Sequence, residues 1–372
     1  MEVGQKPTLG MGYGARVLVP AKHTIWGGSL LPTVMVLLAA SVAVAIAYPG
    51  VPTSSPWLVA AMLAASVAVI PIARDILVVG SGPSAAIVSA ILGNQPGTRA
   101  IYQASTVSDV SHILGSSAIG KVIVADNVDL DAISGLSDLR GVRPSIIDAT
   151  DAVGDLLGRL PVQLVDADAI QSAVEGQSLG FRFVKRSIDL AFSLGLGILI
   201  LPIIPLAALA IRIDSPGSIF YSQERVGLNG KLFRIYKFRS MRQDAERNGA
   251  VWAQTGDARI TRVGRFIRLT RIDELPQLWN VLRGDMTLVG PRPERPEFTS
   301  MLEQEIPGYG LRSKVKPGLT GWAQVSYRYT NSVAETRTKL EYDLYYVKFA
   351  SIGLDLRILV RTVAVVIKMR GC

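Results

Sequence analysis

The sequence predicts an α/β membrane protein built in three parts, and three observations carry that prediction. Two uncharged apolar runs stand near the N-terminus. An alternation of strand and helix signals follows. A third apolar run, interrupted by prolines, then opens a strongly basic second half. In order, these give an N-terminal tail with a transmembrane helical hairpin (1–73), a doubly wound parallel-sheet domain (74–178), and a mixed α/β domain (179–372). The last carries a re-entrant membrane helix over 185–212 and amphipathic surface helices.

The totals narrow the chemistry. Of 372 residues, 49% are hydrophobic and mean hydropathy is +0.33, which points to membrane contact. Cys372 is the one cysteine, so an intrachain disulfide and a cysteine-based zinc site are excluded. A CaaX lipidation box needs its cysteine four from the end and is excluded too. His23 and His112 are the two histidines. The second half therefore cannot build a Ser–His or Cys–His nucleophile, and catalysis there must rest on carboxylates, Lys, Tyr or a metal ion. Residues 1–180 hold 9 Lys+Arg against 13 Asp+Glu, net −4; residues 181–372 hold 30 against 17, net +13. A basic half suits an anionic partner: nucleic acid, a phosphate-bearing small molecule or anionic lipid.

The hairpin rests on Leu30–Tyr48 and Trp57–Ala73, runs of 19 and 17 residues joined by the uncharged turn P-G-V-P-T-S-S-P. Each approaches the ~20 residues that cross a bilayer. Lys6, Arg16 and Lys22 precede the first and Arg74 follows the second, so both ends face the cytoplasm. Two buried core helices are the alternative.

The Rossmann-like sheet rests on D75-I-L-V-V-G80, R99-A-I-Y-Q-A104, K121-V-I-V-A-D126 and R143-P-S-I-I-D148, with helical segments between them. G80-S-G-P-S-A85 nearly matches a dinucleotide fingerprint. The acidic residue expected ~20 positions on is missing, however, and Pro83 sits in the phosphate loop. A sheet that binds no dinucleotide, or another nucleotide ligand, is favoured over a dehydrogenase.

The third run, I188 to I213, lies between Lys185-Arg186 and Arg212 and contains Asp189, Pro202 and Pro205. Prolines inside a membrane helix remove backbone donors and kink it. A full crossing would place the basic segment from Arg225 to Arg242 outside, against the positive-inside bias. A helix that bends at Pro202/Pro205 and returns keeps both ends cytoplasmic; an ordinary span with a proline kink is the alternative. Asp189 is expected to pair with Lys185 or Arg186.

Beyond 214, K231-L-F-R-I-Y-K-F-R-S-M241 reads as an extended segment whose polar face carries Lys237 and Arg239. R259 to R271 spaces basic residues three apart on one helix face, and I352 to R370 forms a second basic amphipathic helix; both suit a membrane surface. In D273-E-L-P-Q-L-W-N-V-L-R-G284, the apolar spacing predicts a short helix over 274–283 ending at Gly284. Asp273 is expected near its N-cap. An Asp that caps and a Glu that suits the dipole form one reading of the pair. A nucleophilic carboxylate beside a metal-holding one is the other, with Arg268, Arg271, Arg283, Arg292 and Arg295 close in sequence to neutralise phosphate charge. G290-P-R-P293 is a rigid turn that presents Arg292.

Taken together, K185-R-S-I-D189, the proline-broken segment at Pro202, Y236-K-F-R-S-M241, D273 to P293, K316-P-G-L-T-G-W-A-Q-V325 and E341-Y-D-L-Y-Y-V347 resemble the catalytic unit of the bacterial sugar transferases. These are polyprenol-phosphate sugar-1-phosphate transferases, or monotopic phosphoglycosyl transferases. The first half resembles the family's long form, with two apolar runs where that form usually begins with four spans. The resemblance implies transfer of a sugar-1-phosphate from a UDP-sugar to undecaprenyl phosphate with release of UMP, as the initiating step of exopolysaccharide, capsule or O-antigen assembly. Asp273 is the implied nucleophile and Glu274 the implied Mg²⁺ ligand. Arg292, with Arg268, Lys237 and Arg239, would hold phosphate, while Asp285 and Asp343 would support the site. The family's helix break usually has Ser before its proline; Leu201 stands there here. Implied partners are the UDP-sugar, undecaprenyl phosphate and the lipid bilayer at the cytoplasmic face of the bacterial inner membrane, with no nucleic acid and with a homodimer among the expectations.

Two rival readings remain. A nucleotide-sugar dehydratase or epimerase would need a cofactor-holding acid and a Tyr-x-x-x-Lys pair in the sheet domain. Tyr102 is the one tyrosine in 74–180, and residue 106 is Thr. The other rival is a non-enzymatic membrane scaffold.

Overall fold

The computed structural model describes residues 74–93, 98–116, 119–125, 128, 145–245, 257–327 and 332–367. The predicted transmembrane hairpin lies outside the described residues. The chain divides into two units at Ala152/Val153.

The first unit carries β1 (Arg74–Val79), α1 (Pro83–Gly93), β2 (Thr98–Ala104), α2 (Val107–Ser116), β3 (Ile119–Val124) and β4 (Ser145–Asp148). The strands pair in parallel in the order β2-β1-β3-β4, with Leu77 opposite Tyr102 and Val122, and Val122 opposite Ile146. Leu77, Val79, Val122 and Val124 are buried against Val110 and Ile113 of α2. Near-continuous apolar strands are what a sheet covered on its faces requires. The predicted parallel strands and the helices after β1 and β2 are present; the segment expected to be helical between β3 and β4 lies outside the described residues.

The second unit begins ahead of the expected 178/179 boundary. After α3 (Ala149–Leu157), α4 (Ala167–Glu175) belongs to it. The reason is burial: Leu160 and Ile170 pack with Leu302, Ile306, Leu340, Leu344 and Val347 in one core.

Next come α5 (Leu179–Ile200) and α6 (Ile203–Asp214), bent by 60° at their junction. The bend follows from the prolines. The missing N–H of Pro202 would have bonded the Ile198 carbonyl, and that of Pro205 the Leu201 carbonyl. Leu201 N instead bonds Ile198 O at 3.2 Å in a tightened last turn. Among the described residues no single helix is long and apolar enough to cross a membrane; this bent pair passes that test only jointly. Leu194, Ile198, Leu199, Leu201, Leu206 and Leu209 on it are exposed.

The rest of the unit builds the platform. β5 (Phe220–Val226) and β6 (Leu232–Phe238) form an antiparallel ribbon with Tyr221 opposite Lys237. α7 (Arg262–Leu269) starts at Thr261, whose Oγ1 accepts from Gly264 N. A 3-10 turn, Ile272–Gln277, leads into α8 (Leu278–Arg283), which ends on Gly284 at φ 89°. β7 (Thr287–Val289) lies parallel to β8 (Gly318–Thr320). α9 (Pro296–Glu305), a 3-10 turn at Tyr309–Lys314, α10 (Trp322–Ser326), α11 (Val333–Phe349) and α12 (Ile352–Ile367) complete it. Leu278, Val281, Met286, Leu288, Tyr346 and Ile358 share a core with Ile200 and Ile235.

Candidate active site

Asp273 and Glu274 sit in the Ile272–Gln277 turn, both nearly buried. The predicted capping role is not what Asp273 does. α8 begins five residues later, and the turn is entered through Arg271 in a left-handed conformation (φ 60°) with no side-chain cap. The early Pro276 keeps this stretch in 3-10 geometry ahead of the regular helix. A six-residue helix then supplies little dipole, so the charge around the pair comes from side chains.

Those side chains converge on Glu274. Arg292 Nη2 donates to Glu274 Oε1 at 2.5 Å, with Lys237 Nζ at 3.5 Å and Arg271 Nη1 at 3.7 Å. Burial disfavours the ionised Glu274, but Arg292 and Lys237 outweigh it and hold its carboxyl well below the usual range. Asp273 behaves oppositely. Burial, and then the Glu274 charge, push it up to about 6 against the pull of Lys237, Arg268 and Arg292. Its Oδ1 is buried with no hydrogen-bond partner. Lys237 is lowered to about 8 by burial, partly restored by Glu274.

Arg292 reaches the pair because two glycine loops dock backbone to backbone. Gly318 N donates to Pro291 O at 2.9 Å and Gly290 N to Thr320 O at 2.9 Å. A Cβ on Gly318 would lie 2.1 Å from Gly290 N, so neither loop tolerates a side chain there. Behind the turn, Arg312 Nη2 donates to the Arg292 carbonyl at 2.7 Å, while Nε and Nη2 both bind Asp343 Oδ2, at 3.0 and 2.8 Å. Asp343 thus backs the site through Arg312. Glu294 is held by Lys339.

Residues 180–369 match the family model described as bacterial sugar transferase, just over half of the chain. The chain belongs to the bacterial sugar transferase family. It is 46% identical over 187 residues to the UDP-N-acetylgalactosamine-undecaprenyl-phosphate N-acetylgalactosaminephosphotransferase of Aeromonas hydrophila, covering 50% of this chain and 44% of that protein. It is 40% identical over 184 residues to the UDP-glucose:undecaprenyl-phosphate glucose-1-phosphate transferase of Escherichia coli K12, covering 49% of this chain and 40% of the relative. It is 41% identical over 219 residues to the protein of the same name from Caulobacter vibrioides, covering 57% and 82%. The chain thus spans less than half the length of the Aeromonas and Escherichia relatives.

Within this family member, the predicted residues divide. Asp273, Glu274, Lys237, Arg271 and Arg292 come together, and Arg268 acts on Asp273 through its charge. Arg239 does not join them. Its guanidinium binds Ser215 O, Ser215 Oγ and Pro216 O, fixing the turn after α6. Asp285 lies past the far end of α8, paired with Arg283 at 3.5 Å. Asp189 pairs with neither Lys185 nor Arg186; it accepts from Thr287 Oγ1 at 2.7 Å and Leu288 N at 3.0 Å, which satisfies a buried carboxylate with β7 donors. Lys185 binds Asp355 (2.7 Å), Tyr346 OH and Val289 O, and Arg186 binds the Val281 and Leu282 carbonyls at the end of α8. This motif therefore ties α5 to the platform. Trp322 is core: it is buried, and its indole N–H donates to Gly158 O at 2.7 Å. Arg312 went unrecognised in the sequence, because nothing in L311-R-S-K314 marks it as buried.

Among the described residues no group of three or more His, Cys, Asp or Glu could form a metal cage. Magnesium does not need one: it is commonly held by one or two carboxylates plus substrate phosphates. Glu274 is the ionised carboxylate that fits such an ion, which would share it with Arg292, Lys237 and Arg271.

Proposed function

We propose that this chain transfers a sugar-1-phosphate from a UDP-sugar to undecaprenyl phosphate through a phosphoryl-aspartate at Asp273. The observation that carries the reading is the pairing of an unsatisfied, buried Asp273 oxygen with a neighbour whose charge is held by Arg292 and Lys237. A nucleophile needs a free lone pair, and a diphosphate needs cations at its oxygens. In the first step an Asp273 oxygen forms a bond to the sugar-side phosphorus. The bond from that phosphorus to the bridging oxygen breaks, and UMP leaves with the electron pair. In the second, a phosphate oxygen of the lipid attacks the same phosphorus and Asp273 departs as carboxylate, giving a polyprenyl-diphospho-sugar. Arg292 and Lys237 bind the phosphates, and Arg268 adds positive charge at Asp273. Magnesium, when bound by Glu274 and phosphate oxygens, would supply charge neutralisation.

The substrates in the relatives' names support the donor and acceptor classes and include two different sugars, N-acetylgalactosamine and glucose. The exposed apolar face of α5–α6 supports a re-entrant membrane attachment; its cytoplasmic side rests on the basic segment from Arg225 to Arg242 and the positive-inside bias. Asp273→Asn tests the reading: UMP release from a panel of UDP-sugars should vanish while the protein remains folded and membrane-bound. Release at the wild-type rate would remove Asp273 as nucleophile.

A further inference from the structure

An apolar groove of about 310 Å³ opens beside the Asp273–Glu274 turn. One wall is Ile200 and Ile204, on either side of the α5–α6 break. A second is the ring pair Phe220–Phe238, stacked with centroids 5.3 Å apart. The third is Leu275 and Trp279. Among the described residues no charged side chain lines it. A sugar or nucleotide would leave its hydroxyls and phosphates unpaired there, so the lining selects an apolar occupant. The groove is preformed. Asn280, fully buried, accepts from Tyr236 N at 3.3 Å and donates to Arg234 O at 2.7 Å, which locks β6 against α8.

Three features identify the occupant. The groove adjoins the exposed apolar face of the bent pair, and its rim residues Phe220 and Trp279 are 50% and 58% exposed. Monomeric proteins rarely leave such contiguous apolar surface in water. Side chains alternate along β6, so Tyr236 and Phe238 line the groove while Lys237 turns to the opposite face and meets Glu274. The turn that joins the two faces places Leu275 two residues from Asp273, a reach of at most about 7 Å. The apolar groove and the cationic cluster thus lie on the two faces of β6 and are joined around the Leu275 turn. That is the shape and charge of one ligand class: a long hydrocarbon chain bearing a phosphate at its end.

We infer that this groove binds the first isoprenoid units of the acceptor lipid phosphate and directs its phosphate round the Leu275 turn toward Asp273. The inference rests on the proposed transfer reaction for the identity of the lipid. A diazirine-bearing prenyl phosphate, photolysed with the full-length protein in nanodiscs, tests it. Adducts are expected within 200–204, 220–238 and 275–279, suppressed by unlabelled prenyl phosphate and not by excess phosphatidylglycerol. Trp279→Ala and Phe220→Ala should each raise the acceptor KM several-fold with kcat within about two-fold, and the effect should shrink for an acceptor truncated to one isoprene unit. Adducts confined to other segments, suppression by phosphatidylglycerol to the same extent, or a wild-type acceptor KM in both variants would overturn the groove assignment. Because the wild-type protein is assayed alongside for UMP release, its failure to release UMP would instead strike the transfer reaction itself.

Discussion

Asp273 and Glu274 adjoin in one 3-10 turn, yet their carboxyls are driven apart: Glu274 is held ionised by Arg292 and Lys237, and its charge helps raise Asp273. Pairs of titratable groups separated in this way commonly mark acid–base or nucleophilic sites. The first half-reaction needs ionised Asp273. Its rate should fall as pH drops through about 6, the value to which burial and Glu274 push that group. Glu274→Gln removes the raising charge, so this acidic limb should move to lower pH even where the maximal rate is reduced. A limb that stays in place would mean Glu274 does not set the Asp273 protonation.

The same shift predicts a stability effect. A carboxyl raised in the folded state stabilises most below its unfolded value, and that contribution is lost as pH rises through about 6. Near neutral pH, ionised Asp273 is a net cost of order 1–3 kcal/mol. Asp273→Asn should therefore unfold a few degrees higher at pH 7.5, with the gain shrinking toward pH 4. Measuring Tm against pH in one detergent would check it; a lower Tm at pH 7.5 would contradict the raised value.

Arg312 supports Arg292 from behind. Arg312→Ala leaves Asp343 buried without its cation, a loss of about 3–5 kcal/mol. Arg312→Lys keeps the charge but not the fork that spans Asp343 and the Arg292 carbonyl. The lysine variant should fold, raise the UDP-sugar KM and lower kcat, and do so much less in an Arg292→Ala background. Additive losses in the double variant would separate the two residues.

Lys185 joins α5 to Asp355 and Tyr346 through a partly buried contact. Lys185→Met should lower the melting temperature and weaken the order of α5 against the platform, seen as faster amide exchange in 179–200. Unaltered exchange there would reduce this lysine to a membrane flank.

Much of this was legible from spacing. The parallel strands, the helix end at Gly284 and the proline bend follow from periodicity and from missing backbone donors. The apolar stripe expected over 274–283 is not what the helix buries: Trp279 is exposed, and Asn280 and Val281 face the core beside Leu278, because the stretch before 278 is a 3-10 turn and shifts the register. The Arg292 turn was readable because proline and glycine have local consequences. What the sequence hid is long-range pairing. Asp189 looked destined for its helical neighbours, yet it caps β7 donors about a hundred residues away. Arg239 shared a strand pattern with Lys237, but β6 ends at Phe238 and its guanidinium swings to the 215–216 turn. Asp273 looked like a cap because local spacing cannot report that Arg271 adopts a left-handed conformation and that the turn is 3-10.

The most direct test of the account is intact-mass and peptide analysis of the protein quenched in acid after brief incubation with UDP-sugar and Mg²⁺, without lipid acceptor. The account predicts one sugar-phosphate added per chain, mapped to Asp273, absent from Asp273→Asn and discharged by undecaprenyl phosphate. UMP release with no adduct at any quench time, or an adduct on another residue, would contradict it.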